Sequence, residues 1–405
     1  MKNWKKVICG ILLAGFAVQL GACAAAPMSE AEKQTEVPET VSQISDTETA
    51  IAAADFSVAL LQNTKIENGN CILSPYSIML AMAMTANGAD GETLAQMESA
   101  FGMPMEAVNQ WLSDVHEKSG KELISANSIW LREEDGFTLS EDFVRTNEDD
   151  YQAQIQTAPF NEQTLADING WVSEYTKNRI PKILDSLDAG ALMVLLNALT
   201  FDAAWQNPYT ENDLTDGVFV SADGENQKVT MMSGKEQYYL EDGTTTGFVK
   251  DYEDGRYSYV VLLPEKGVST EEYIATLSGE KLLNLVKNAS EETVKTQMPA
   301  YKSETFADMS QTLQAMGITD AFSPLADFSK MGNLPMNISQ VLHKTYLKVH
   351  SGGTEAAAAT AVIMTKSAKP MQECKEVIVD RPYVMAIMDQ KTDAILFLGA
   401  VNTME

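Results

Sequence analysis

At 405 residues, with 45% hydrophobic and 8% aromatic content, the chain is long enough for one large domain or two ordinary ones. A formal net charge of −28 leaves no basic stripe to track phosphates, which excludes nucleic acid as a partner. The cysteines Cys9, Cys23, Cys71 and Cys374 make no disulfide framework, so the fold must be held by its core.

The first residues read as a targeting segment. Lys2, Lys5 and Lys6 precede an apolar stretch at 7–20 that is too short to span a membrane comfortably. It ends in Leu20-Gly21-Ala22-Cys23, which resembles the bacterial lipobox, with cleavage before Cys23 and lipid on its sulfur. The alternative is an ordinary secretory signal cut near 24–26. Residues 35–49 are polar and acidic without hydrophobic period, so 23–49 reads as a flexible tether. The remaining 50–405 shows no repeat and no linker and is expected to be one domain. An exported chain, either a surface lipoprotein or extracellular, is the expectation, with membrane contact only through Cys23.

Within that domain, helices come first. They are expected over 52–62, 74–86, 92–101 and 105–117, with Ser74 as an N-cap and Pro75 in the first turn. Apolar strands at 122–131 and 191–201 bracket a helix at 163–178. After residue 218 the pattern is mostly strand, at 237–240, 257–263, 293–298, 338–349, 384–388 and 395–401. Helices early and strands late predict a mixed α+β domain rather than a doubly wound parallel sheet.

Gly352-Gly353-Thr354-Glu355-Ala356-Ala357-Ala358-Ala359-Thr360-Ala361-Val362 has two readings. Alanine favours a helix, and local pattern alone prefers it. At period two, however, Thr354, Ala356, Ala358, Thr360, Val362 and Met364 form a face without a charge. No proline interrupts the stretch before Pro370, so it is also fit to become a central strand.

Six segments decide between these readings. They are Asn70-Cys71-Ile72-Leu73-Ser74-Pro75-Tyr76-Ser77-Ile78, Leu195-Leu196-Asn197-Ala198-Leu199-Thr200-Phe201 with Trp205, and Phe322-Ser323 with Ala326-Asp327-Phe328-Ser329. Leu342-His343-Lys344-Thr345, Asp380-Arg381-Pro382-Tyr383 and Ile395-Leu396-Phe397-Leu398-Gly399-Ala400-Val401 complete the set. In this order and spacing they resemble the serpin family from about residue 50 to the C-terminus.

The resemblance implies a large central β-sheet with further sheets, about eight or nine helices and an exposed reactive-centre loop at about 353–375. The hinge would be Gly353, Thr354, Glu355, Ala356, Ala357, Ala358, Ala359 and Thr360. Ser74, Ser77, Asn197 and His343 would form a buried polar cluster where the sheet parts, with Trp205 at the top of the opening. In the family the position two before Gly353 is usually acidic; here it is Ser351, followed by Gly352, which implies a loop base without that anchor.

The implied activity is suicide inhibition of serine endopeptidases, with cysteine endopeptidases as further targets. The protease forms a covalent acyl-enzyme on the loop, which then inserts into the sheet. Counting from Gly353 places the reactive bond at Ser367–Ala368, whereas counting back from Pro382 places it near Met371. Met364, Ser367 and Ala368 suit elastase- or subtilisin-like pockets, and Lys366 or Lys369 a trypsin-like one. A monomer without cofactor or metal is expected. The enzymatic rival, a triad pairing His343 with Ser74, competes with a hydrogen-bonded cluster made of the same two residues. A non-inhibitory binding protein on the same fold is the other alternative.

Overall fold

The structure, a computed structural model, describes residues 45–65, 69–151, 153–188, 190–354 and 374–404. Four helices pack early in the chain: α1 (Asp46–Asn63), α2 (Pro75–Ala86), α3 (Gly91–Phe101) and α4 (Met105–Lys118). Strand β1 (Cys71–Leu73) separates the first two. Ser74 caps α2 with Pro75 in its first turn, and all twelve residues of that helix are buried. In α4 the apolar stripe Met105, Val108, Trp111, Leu112 and Val115 faces inward.

The segment read as a tether ends earlier than 49. A Ser45–Glu48 capping box starts α1 at Asp46, because acidic residues there meet the positive end of the helix.

The middle of the chain alternates strand and helix: β2 (Leu123–Arg132), α5 (Glu141–Tyr151), β3 (Gln154–Ala158), α6 (Glu162–Tyr175) and β4 (Met193–Phe201). Helix α6 stops three residues before the expected 178, since Lys177 and Asn178 take positive φ and turn the chain. Then come β5 (Ala203–Ala204), β6 (Leu214–Val220), β7 (Asn226–Glu241), β8 (Thr245–Asp251) and β9 (Tyr257–Pro264). Short helices α7 (Thr270–Ile274) and α8 (Gly279–Lys287) lead to β10 (Ser290–Pro299), β11 (Tyr301–Asp308) and α9 (Ser310–Ala315). The chain closes with β12 (Gln340–His350), β13 (Gly353–Thr354), β14 (Lys375–Ile378), β15 (Tyr383–Asp389) and β16 (Ala394–Val401). Nine α-helices are thus present among the described residues.

Two sheets organise these strands. The seven-stranded central sheet runs β3-β2-β4-β12-β13-β5, with β11 on the outer side of β12. The second runs β1-β16-β15-β9-β8-β7-β10-β14, with β6 on β7. Strand β7 is long enough to serve both ends of it, pairing β6 and β10 along its length and β8 near its end. The domain is therefore the expected α+β class with a large central sheet. Every residue of β4, β9, β15 and β16 is buried, which is why these stretches read as near-continuous apolar runs.

Helix α8 touches α1 through Gly279, whose N–H donates to Asp55 Oδ1 at 2.6 Å. A Cβ there would fall 2.1 Å from the Asp55 backbone nitrogen. Gly279→Ala is expected to lower the denaturant midpoint by about 2 kcal/mol of stability with an unchanged m-value. A neutral result would mean that α8 shifts freely along α1.

Candidate functional site: a closed seam in the central sheet

Strands β4 and β12 lie side by side, parallel, from Gln340↔Val194 to Tyr346↔Thr200. No strand lies between them, so the sheet is closed along this seam.

Under the seam sits the predicted polar cluster. The Ser74 backbone N–H donates to His343 Nε2 at 3.0 Å, so that nitrogen must carry the lone pair. The proton is therefore on Nδ1, which faces Asn197 Oδ1 at 3.3 Å and donates to it. The Ser77 hydroxyl donates to the same oxygen, and Asn197 Nδ2 donates to Asn127 Oδ1 at 2.6 Å. Ser74, Ser77, Asn197 and His343 are all within 1% of full burial.

The structure thus brings together the four predicted residues and adds Asn127, which stands opposite Asn197 in the β2–β4 register. Its one sequence signal is the polar pair Asn127-Ser128 in a strand that also carries Ser125 and Arg132. The hydrolase reading fails here. Ser74 offers His343 its backbone N–H, while its Oγ accepts from Ser77 N at 3.4 Å, so no nucleophile–base contact exists.

Trp205 directly follows β5, beside the upper end of the seam. Its ring stacks on Tyr252 at 4.5 Å and meets Tyr259 edge-on at 5.8 Å. Its indole N–H donates to His350 O at 2.9 Å and its backbone N–H to Gly352 O at 3.0 Å. Tyr209 N donates to Ser351 O at 2.9 Å. Three consecutive carbonyls are therefore held, so the loop base does not lack anchorage as the absence of an acidic residue had implied.

The first two hinge residues are already seated in the sheet. As β13, Gly353 and Thr354 lie between β12 and β5. Thr354 is fully buried, with its hydroxyl 2.6 Å from Tyr252 Oη. Sequence reasoning missed Tyr252, which lies between β8 and β9 and carries no local signal. Gly353 is required by close approach, since a Cβ would fall 2.2 Å from Ala203 O. The other hinge positions, Glu355 to Thr360, and the reactive-bond candidates Met364, Lys366, Ser367, Ala368, Lys369 and Met371 lie outside the described residues. So does Cys23. Cys374, at the start of the return stem, is exposed, whereas Cys71 is buried and its thiol pushed up to about 12.

A single α+β domain whose central sheet is closed by a parallel seam, with a small-residue hinge lodged at its upper end, matches known proteins. Residues 51–404 fit the family model described as serpin, serine protease inhibitor. An uncharacterized serpin-like protein of Thermococcus kodakarensis is 31% identical over 362 residues, covering 86% of this chain and 84% of its own. The leukocyte elastase inhibitor of Bos taurus is 31% identical over 353 residues, 83% of this chain and 93% of that one. The thermophilic serpin tengpin in its native state is similar at a TM-score of 0.85 and 40% identity, covering 89% of this chain and 96% of that one. Its latent state scores 0.77 at 38% identity, with 89% of this chain and 99% of that one covered. The chain belongs to the serpin family.

Two outcomes test this geometry. Burial holds the His343 pKa down at about 3, against an ordinary value near 6.5. The unfolded chain therefore binds a proton below pH 6.5 that the fold refuses. This group's contribution is intact above pH 6.5 and lost progressively as pH falls toward 3, at about 1 kcal/mol per pH unit. Denaturant melts between pH 7 and 4 should show that slope, reduced in His343→Gln; equal slopes would remove His343 as the cause. Separately, Gly353→Ala should force β13 from between β12 and β5 and red-shift tryptophan emission as Trp205 becomes wetted. Unchanged emission would mean that the hinge tolerates a Cβ.

Proposed function

We propose that this chain is a suicide-type inhibitor of serine endopeptidases, with cysteine endopeptidases as possible further targets, and acts by inserting its cleaved loop between β4 and β12. The observation that carries this reading is the closed β4–β12 seam with Gly353 and Thr354 seated at its upper end. A slot in that state has room for one more strand, and the residues that follow suit it. Thr354, Ala356, Ala358, Thr360, Val362 and Met364 would face the core without burying a charge.

The reaction begins as ordinary proteolysis. The protease nucleophile attacks the reactive carbonyl, proposed as that of Ser367, and the amine of Ala368 leaves to give an acyl-enzyme. The freed loop then adds to the sheet. Fourteen steps from Gly353 to Ser367 at ~3.3 Å each carry the attached enzyme roughly 46 Å. About a dozen new ladder hydrogen bonds at ~1 kcal/mol each supply on the order of 10 kcal/mol. That is enough to disturb an active site whose deacylation depends on narrow geometry.

The small residues around Ser367 favour an elastase- or subtilisin-like target, with Lys366 or Lys369 offering a trypsin-like alternative. The leukocyte elastase inhibitor among the relatives is in keeping with the first. Export and lipid attachment at Cys23 are part of the same proposal and place the inhibitor on the cell surface or outside it.

The test is to mix the protein separately with pancreatic elastase, subtilisin and trypsin and resolve the products on denaturing gels. A boil-resistant band at the summed mass is expected, with a released C-terminal peptide beginning at Ala368. Ala358→Arg should keep the cleavage and lose more than nine-tenths of the band, because the arginine would have to be buried in the sheet on insertion. Cleavage without adduct for every protease would replace this reading with a non-inhibitory binding protein.

A further inference from the structure

The turn that joins β12 to β13 is only two residues long, Ser351 and Gly352, and His350 and Gly353 face each other across it. Four hydrogen bonds hold its main chain. Three come from outside: Trp205 Nε1–H to His350 O, Tyr209 N–H to Ser351 O and Trp205 N–H to Gly352 O. The fourth lies within the turn, where the Gly352 N–H donates to His350 Nδ1 at 3.1 Å. Of the four, it alone depends on a side chain that titrates.

This bond settles the state of the ring. A nitrogen that accepts must carry its lone pair, so the proton of the neutral imidazole is on Nε2. The arrangement copies an Asx turn, in which a side-chain oxygen takes the N–H two residues on. An asparagine keeps that acceptor at every pH, whereas an imidazole gives it up on taking a proton. In the imidazolium, Nδ1–H and the Gly352 N–H would be two donors aimed at one another, and the bond is lost. His350 is half-buried, so protons reach it while the fold is intact.

The charged groups around the ring are few. Lys348 lies two residues back on the same face of β12, and Asp202, just beyond β4, is paired with Arg179 at 2.5 Å. On β11, Lys302 stands opposite Lys348 and is paired with Glu304 at 2.8 Å. Strands β5 and β13 and residues 205–209 bring no charge. Behind Trp205, Lys250 is paired with Glu236, and Asp251 accepts from Gln390. Partial burial and then Lys348 hold the His350 pKa below its ordinary 6.5, against an upward pull from Asp202. The ring is therefore neutral at pH 7 and takes up its proton below pH 6.5.

We propose that His350 is a positioning residue for the hinge: its neutral imidazole sets the turn that presents Gly353 and Thr354 to the central sheet, and the imidazolium releases it. The loop base is thus a joint whose stiffness follows pH, firm above 6.5 and slack below it. Its consequence for trapping rests on the inhibitory reading. Insertion competes with deacylation, and a slack turn delivers the hinge late, so more attacks end as plain cleavage. The joint itself does not depend on that reading.

Hydrogen exchange at the Gly352 amide tests the joint in the whole protein without protease, corrected for intrinsic pH dependence and referred to the amides of β4. Its protection is expected to fall at least fivefold from pH 7.5 to 5.5. His350→Asn, whose side-chain oxygen can take the same N–H, should stay protected at both values, and His350→Phe at neither. Equal protection of the native chain at the two pH values, or the same fall in His350→Asn, would overturn the proposal. So would imidazole nitrogen spectra showing the proton on Nδ1 at pH 7.5. The role in insertion is read from the fraction of cleaved chain held in the covalent band, taken relative to His350→Asn at each pH so that the protease's own pH dependence cancels. That ratio should drop at least twofold at pH 5.5, and an unchanged ratio would remove the positioning role. Absence of any band at either pH would instead overturn the inhibitory reading and leave the exchange result standing.

Discussion

The parallel contact of β4 with β12 is the constraint on which the rest of the molecule depends. Seven registered pairs, from Gln340↔Val194 to Tyr346↔Thr200, join two strands that are 139 or more residues apart in the chain. Each ladder bond contributes modestly, and none is covalent, so the seam is strong as a unit and yet separable. The insertion proposed above needs this combination. It explains why the polar cluster sits beneath the seam and not beneath β2 and β3.

His343 shows how that cluster locks the seam. The imidazole belongs to β12, Asn197 to β4, Asn127 to β2 and the two serines to the start of α2. Four elements therefore share one hydrogen-bond chain, and sliding β12 away from β4 leaves the His343–Asn197 contact unmade inside the core. Because the ring is neutral, the chain can be broken and re-formed without moving an ion through an apolar region. A charged cluster would resist reopening far more, since separating a buried pair leaves each partner unpaired.

Legibility in the sequence followed local physics. Helix α4 was readable because five apolar residues recur on one face, and β4 because nine successive residues are buried. Helix α5 was not: Glu141, Asp142, Glu148, Asp149 and Asp150 make it strongly polar, and only Phe143, Asn147 and Tyr151 are buried, one per turn. Strands β3 and β8 also escaped because mixed burial blurs their alternation, and β11 because it buries Ser303 and Thr305 while Phe306 faces out. In the site, Ser74, Ser77, Asn197, His343 and Trp205 were placed by motif resemblance, while Asn127 and Tyr252 were not. Asn127 matters only through its register with Asn197, and Tyr252 only through Thr354 and the face of Trp205. Neither relation exists until the sheets are assembled.

The loop base carries the same lesson further. A serine and a glycine where relatives usually have an acidic anchor look, in sequence, like a loosened joint. Yet the anchors here are main-chain carbonyls: His350 O to the Trp205 indole, Ser351 O to Tyr209 N and Gly352 O to Trp205 N. Such contacts are indifferent to side-chain identity, so replacing an acid at 351 does not by itself release the chain. The turn gains one more bond from Gly352 N–H to His350 Nδ1 at 3.1 Å. What fixes the entry of Gly353 and Thr354 is therefore Trp205, packed between Tyr252 and Tyr259, acting through its ring and its backbone at once. The upper end of the seam is held by an aromatic stack that also binds the backbone, and side chains at 351 and 352 bear on it only through backbone conformation.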